Sequence, residues 1–266
     1  MDYLINDYLL NISLESYQLF VYFWAGLGIC AGLAIYFLRL MPISGKVDNH
    51  TGALLGSVDK RIGWIIMETP ILLSVCYFYL AGSQPINASI VLIGAFVLHY
   101  SHRALIYPHR IKTHGKRIPT SSVLLTMGFY TINGYLIGYY FGSLKSYPIE
   151  WLYDPRFIIG SVLFLAGFII NIQSDTILIN LRGPNESGYK IPQGGFFKWV
   201  SCPNYFGEII EWLGFALMCW SLPGVMYAMW VGITLVTTGL TAHHWYLKKF
   251  GDEYPKQRKA VIPFLI

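Results

Sequence analysis

The sequence predicts an all-α integral membrane protein of seven transmembrane helices, with the N-terminus outside and the C-terminus cytoplasmic. Three observations carry that prediction. Hydrophobic residues make up 55% of the 266 and charged residues only 12%, with a mean hydropathy of +0.47, against roughly 25% charged in soluble domains. Seven stretches, near 17–39, 62–82, 86–107, 119–142, 157–180, 205–222 and 224–247, have the length of about 20 largely apolar residues that crosses a bilayer core. All but Lys145 and Arg156 of the 19 lysines and arginines fall in alternate connections or in the C-terminal tail, and such an excess marks the cytoplasmic side. The same cations read as topology signals and anionic-lipid contacts, with some left to serve a cytosolic anion; nucleic acid is not an expected partner.

The opening M-D-Y-L-I-N-D-Y has no basic segment ahead of the first apolar run, so the first span is expected to be retained. Span one, with A-G-L-G-I-C-A-G-L-A, suits close helix packing. The polar stretch 44–56 after it is either a linker or a cofactor contact. Span two carries Glu68 about two turns from its cytoplasmic end, beside Pro70, which frees a backbone carbonyl. Glu68 is either a carboxyl paired with another helix or a proton-carrying acid held neutral by burial. Span three ends in H-Y-S-H-R-A-L-I-Y-P-H-R, where Tyr100 and Arg103 share a face and His99 lies four before Arg103. Its H-x-x-H has no complementary Glu or Cys set, so no metal is expected. Span four, aromatic with scattered glycine, reads as a wall.

The densest polar chemistry runs from Asn171 to Trp212. Asn171 and Asp175 are four apart on span five; Arg182, Tyr189, Lys190 and the pair Gly194–Gly195 follow; Asn204, Glu208 and Glu211 form one stripe on span six. Polar and ionisable groups at membrane depth are costly unless paired or facing water, which makes this stretch the candidate site. Consecutive glycines let backbone amides approach a phosphate, but the pair lacks the G-x-G-x-x-G spacing and no strand precedes it, so this is not a Rossmann unit. Span seven puts His243 and Tyr246 on one face, followed by Lys248, Lys249 and Arg258. The four cysteines show neither C-x-x-C spacing nor a disulfide framework and read as packing thiols.

N-I-Q-S-D-x-I-L-x-x-L-R, Y-K-I-P-Q-G-G-F-F, N-Y-F-G-E-I-I-E-W-L-G-F-A-L and the ending Y-P-K-x-R-K-A-x-I-P-F resemble the steroid 5α-reductases, the 3-oxo-5α-steroid 4-dehydrogenases. The resemblance is most specific over residues 160–266 and extends through the E-x-P and H-Y-x-H-R stretches. It implies a single seven-span domain over residues 1–266: spans one to three (1–118) on the substrate side, and a cofactor half (119–266) with a cytosolic loop at 181–204. It also implies NADPH as cofactor and reduction of the 4,5 double bond of a 3-oxo-4-ene steroid that enters from the bilayer. Glu68 and Tyr100 are then expected at the steroid 3-oxo group. Asn171, Asp175, Arg182, Asn204, Glu208 and Tyr246 are expected around the cofactor, with Glu211 on the same stripe and Arg103, Tyr189, Lys190 and Arg258 as helpers. Met67 stands where the family has glutamine, and no role carries over to His243 or His244. A monomer in a bacterial inner membrane or an endoplasmic reticulum membrane is expected.

A hydride arriving at the enone builds negative charge on the distant oxygen, where Tyr100 and a protonated Glu68 can donate hydrogen bonds. Rival readings are a sterol or enoyl-thioester reductase, an S-adenosylmethionine enzyme resembling isoprenylcysteine carboxyl methyltransferases, and a seven-span transporter or receptor. The Glu68 and Tyr100 pair favours the steroid over the other enzymes. The lack of repeat symmetry argues against transport.

Overall fold

The computed structural model describes residues 11–38, 55–84, 87–113, 115–183, 186 and 188–266. Arg39, Lys46 and residues 44–54 of the polar stretch after span one lie outside the described residues, as do residues 184, 185 and 187 of the 181–204 loop.

The long elements are α1 (Leu14–Leu38), α2 (Lys60–Leu80), α3 (Ser89–Ser101), α5 (Thr120–Tyr139), α6 (Pro155–Asn180), α7 (Pro203–Cys219) and α8 (Leu222–Phe250). A π-turn, His102–Ile106, joins α3 to the four-residue α4 (Tyr107–Arg110), so 89–110 forms one helical run. Among the described residues seven long helical runs result, with every boundary within three residues of expectation. Five are long and apolar enough to cross a membrane: Leu14–Ala34, Lys60–Leu80, Ser89–Arg110, Pro155–Asn180 and Leu222–Glu253. The other two fall short of that measure for visible reasons. The α5 sequence is diluted by Thr120, Ser121, Ser122, Thr126, Thr131 and Asn133, and α7, at 17 residues, spans only about 25 Å at 1.5 Å per residue. One departure from an all-α chain is a ribbon of β1 (Ser57–Asp59) and β2 (Arg117–Pro119), paired antiparallel with Val58 opposite Ile118.

Contacts divide the chain into two compact units: residues 1–24, 48–158 and 219–224 form one, and residues 25–47, 159–218 and 225–266 the other. In the first, Asp59 leads the ribbon into α2 by accepting from the Arg61 and Ile62 amides at 2.8 and 3.3 Å, satisfying donors that a helix start leaves open. The seam between α2 and α5, continued by the π-turn Tyr140–Leu144, rests on Gly134, Gly138 and Gly142. A Cβ at Gly138 would stand 2.6 Å from the Val75 carbonyl oxygen and one at Gly142 2.7 Å from that of Phe78, so the small-xxx-small spacing allows the backbones to approach. Span four is therefore more than a wall. Tyr17 donates to the Leu136 carbonyl at 2.8 Å, which leaves nearly apolar walls on a cavity of about 430 Å³ lined by Phe20, Phe78, Ile132 and Tyr135.

In the second unit glycines recur at a spacing of seven. A Cβ at Gly160 would lie 2.6 Å from the Gly214 carbonyl oxygen, and one at Gly207 2.6 Å from the Asn171 amide nitrogen. That approach sets α6 and α7 backbone to backbone and aligns their polar side chains. Gly28, in the small-residue run of α1, admits Trp230 of α8 just as closely. Along α8, Thr237, Thr238 and Thr241 return their hydroxyls to carbonyls four residues back at 2.7 to 3.0 Å, so a threonine-rich stretch stays satisfied inside the helix.

Candidate active site

In the first unit the sequence brings two helical faces together around Glu68. Trp64 and Glu68 lie four apart on α2, and Arg103 and Tyr107 lie four apart across the π-turn. Glu68 is 2% exposed. Its Oε1 stands 3.6 Å from Arg103 Nη2, and the Arg103 guanidinium lies 4.7 Å from the Trp64 ring centre and 4.8 Å from that of Tyr107. A guanidinium is flat and weakly hydrated, so ring faces can replace part of its water. Tyr100, also buried, sits among Phe96, His99 and Tyr130 at ring separations of 5.0, 4.9 and 5.7 Å. The turn that carries Arg103 is a π-turn, an irregularity common at functional sites. Arg103, expected beside the cofactor, is found on Glu68. Trp64 and Tyr107 were not singled out in the sequence, although their four-residue spacing from Glu68 and Arg103 was the available signal.

In the second unit the polar stripe is a ladder between α6 and α7. The Asn171 amide donates to the Asn204 carbonyl oxygen at 3.0 Å and to Glu208 Oε2 at 3.2 Å, and the Asn204 amide donates to Asp175 Oδ1 at 3.1 Å. Asn171, Asp175 and Glu211 are fully buried. The four expected residues Asn171, Asp175, Asn204 and Glu208 are thus joined directly, and Glu211 lies on the same helix, where the Gly167–Gly207 approach meets its backbone.

The loop after α6 gathers the expected cations. Arg182 donates to the Gly188 carbonyl at 3.1 Å and lies 5.8 Å from the Tyr189 ring. Lys190 pairs with Glu186 at 2.5 Å, and that carboxylate also accepts from the Gly183 amide at 2.7 Å. Tyr189 packs on Trp245 at 4.6 Å. Gly188, Gly194 and Gly195 have φ of 94°, 89° and 50°, a region costly for side chains with a Cβ, so the glycine pair has a conformational reason to be there.

Tyr246 stacks on Tyr254 at 5.3 Å and 15°. Arg258 is 3% exposed, donates to Gln193 Oε1 at 3.0 Å and stands 5.5 Å from the Tyr254 ring centre. Its Nε and Nη1 are buried with no hydrogen-bond partner among the described residues. Buried donors are normally paired, and a guanidinium with donors to spare suits a phosphate. On that ground the second unit fits a dinucleotide: an anion anchor, amides and carboxylates for carboxamide and hydroxyl groups, and backbone bends at three glycines. Burial also pushes the Tyr254 hydroxyl above its ordinary range, against the opposing effect of its hydrogen bond with Ser201.

A family model described as 3-oxo-5-alpha-steroid 4-dehydrogenase matches residues 116–266. The chain is 45% identical over 211 residues to 3-oxo-5-alpha-steroid 4-dehydrogenase 1 of Macaca fascicularis, covering 78% of this chain and 80% of that one. It is 44% identical over 244 residues to the Bos taurus protein of the same name, covering 89% and 94%. It is 38% identical over 239 residues to Steroid 5-alpha-reductase DET2 of Gossypium hirsutum, covering 88% and 91%. At these identities and over this share of its length, the chain belongs to the 3-oxo-5-alpha-steroid 4-dehydrogenase family, the steroid 5α-reductases.

Proposed function

We propose that this protein reduces the 4,5 double bond of 3-oxo-4-ene steroids to 5α-steroids, using NADPH. The observation that carries the reading is the Glu68–Arg103 pair, buried among aromatic rings, with Arg103 on the same helical run as Tyr100. When bound, NADPH supplies the hydride that adds to the enone β-carbon. Tyr100 donates to the 3-oxo oxygen, where negative charge grows, and a preorganised donor in a water-poor site is worth a few kcal/mol to such a step. The sequence argued for a neutral Glu68, because an isolated carboxylate would repel the growing charge. Arg103 changes that argument: a carboxylate with a guanidinium at 3.6 Å is neutral as a pair, and arginine brings N–H donors of its own. Arg103 therefore acts here on Glu68 and the 3-oxo end. Water supplies the proton that completes reduction at the α-carbon.

In the second unit, Asn171, Asp175, Asn204, Glu208, Glu211 and Tyr246 would hold the cofactor's carboxamide and hydroxyl groups. Arg182, Lys190 and Arg258 would hold its phosphates, with Tyr189 beside them. The cation pattern orients the chain with the 181–204 loop, the 109–117 connection and the C-terminus in the cytoplasm, where the cofactor is available. The steroid, itself lipid-soluble, enters from the bilayer. The division into a substrate side and a cofactor half follows the same assignment of roles.

The test is NADPH oxidation by the purified chain in detergent with testosterone or progesterone. Turnover with NADPH and little with NADH is expected, and Arg182→Ala should raise the KM for NADPH about tenfold, the effect of one charge-assisted contact. No oxidation with any 4-ene-3-one would sink the steroid reading and return a sterol or enoyl thioester as substrate.

A further inference from the structure

Ser201 is the node of a buried cluster that the proposed reaction does not use. Its Oγ lies 2.6 Å from His243 Nδ1, 2.6 Å from the Tyr254 hydroxyl and 3.1 Å from the Lys259 carbonyl oxygen. Ser201 and Tyr254 are 3% and 1% exposed. A serine hydroxyl has one proton to give and two lone pairs to receive, so three partners are its full complement. The Lys259 carbonyl can only accept. With the serine proton directed there, His243 Nδ1–H and Tyr254 O–H both donate to Oγ, and every group is satisfied. Backbone bonds run alongside: Ser201 and Cys202 amides donate to the Lys259 and Ala260 carbonyls at 2.8 and 3.0 Å, and the Lys259 amide to that of Trp199 at 2.9 Å. The C-terminal tail is thereby fastened to the segment that leads into α7.

The residues held by this node are those given to the cofactor. The Tyr254 ring is stacked on Tyr246 and faced by the Arg258 guanidinium. Ser201 stands three residues before Asn204, whose amide meets Asp175. The cluster touches none of the proposed reacting atoms, yet it holds Tyr254, the ring that Tyr246 and Arg258 both meet.

We propose that Ser201, Tyr254 and His243 are positioning residues for the dinucleotide: their shared hydroxyl node sets Arg258 and Tyr246 in the binding geometry before the cofactor arrives. The proposal rests on the reading that Arg258 and Tyr246 hold the cofactor. Groups ordered in advance need not be ordered on binding, so losing the node weakens cofactor affinity and leaves chemistry in the loaded enzyme intact.

The experiment uses the full chain in detergent. NADPH fluorescence is titrated without steroid, steady-state kinetics are run with it, and the melting temperature of the cofactor-free protein is recorded. Ser201→Ala and Tyr254→Phe should each weaken NADPH binding about tenfold, with kcat and the steroid KM within about twofold of wild type. Because both remove one shared bond, the double variant should bind no worse than the weaker single variant. His243→Leu should weaken NADPH binding, whereas His243→Asn, which puts an amide nitrogen where Nδ1 stands, should restore it. Unchanged NADPH affinity in Ser201→Ala and Tyr254→Phe overturns the proposal. A parallel fall in kcat, both KM values and melting temperature also overturns it, because the node would then serve the fold alone; the His243 pair repeats the test at the cluster's edge. A wild type that does not bind NADPH overturns the cofactor reading and the cluster with it, whereas normal wild-type binding with unaffected variants overturns the cluster only.

Discussion

Two arginines of the first unit each face a carboxylate and stand against two aromatic rings: Arg103 with Glu68, Trp64 and Tyr107, and Arg156 with Asp154, Trp151 and Trp220. The Arg156 pair is closed. Its Nε and Nη2 meet the two oxygens of Asp154 at 2.9 and 2.8 Å, the Arg156 amide adds a third bond at 2.8 Å, and the side chains are 39% and 22% exposed. All of that lies within three residues at the start of α6. The Arg103 pair spans two helices, is 13% and 3% exposed, and has its Nη2 3.6 Å from Glu68 Oε1. Exposed pairs contribute little to stability, and buried ones often fail to recover their desolvation cost. The buried pair is thus a poor device for holding a fold and a good one for projecting a field where water does not screen it.

The largest expected effect breaks the proposed chemistry at the buried pair. Tyr100→Phe and Glu68→Gln should each lower steroid turnover by about 100-fold or more, with NADPH fluorescence titrations unchanged; full-rate turnover in Tyr100→Phe would remove the tyrosine from the mechanism. A middle effect separates the two arginines. Lysine keeps the charge but loses the flat contact with rings and the paired donors, so Arg103→Lys should lower kcat/KM for steroid about tenfold, whereas Arg156→Lys should leave it at the wild-type value. Equal losses in both would erase the contrast.

The smallest effect concerns Asp154. The Arg156 side chain holds its carboxyl down from 3.8 to about 2. A lowered folded value means stability that is fully present above pH 3.8 and lost as pH falls through about 2. Asp154→Asn should therefore lower the melting temperature by about 1–2 °C near neutrality, with the difference shrinking over that acid window. A difference that persisted below pH 2 would show that the loss is not ionic.

The positions of the helices were legible because lipid leaves so little choice: an apolar run of the right length satisfies its own backbone only as a helix. The rungs of the α6–α7 ladder were legible too, since Asn171, Asp175, Asn204 and Glu208 follow helical spacing and are expensive at membrane depth unless paired or facing water. What stayed hidden depends on which faces meet. Gly134, Gly138 and Gly142 read as scattered until α2 lies against them, and the contact of Arg103 with Glu68 could not be read until two helices were side by side. His243 and Tyr254 are 42 and 53 residues from Ser201, their common node, joined by no period that a helix or strand would print in the chain.

The π-turn at His102–Ile106 imposes a constraint of a different kind. Each residue advances a helix by about 100°, and this turn holds one residue more than a regular one. A chain shortened by a single residue there would keep its hydropathy, its composition and a helix of nearly the same length, yet every side chain after it would arrive out of phase. Tyr107 would leave the Arg103 stack, and the run would turn a different set of groups toward Glu68. The end of this helix that carries Arg103 and Tyr107 is specified by a count as well as by identities.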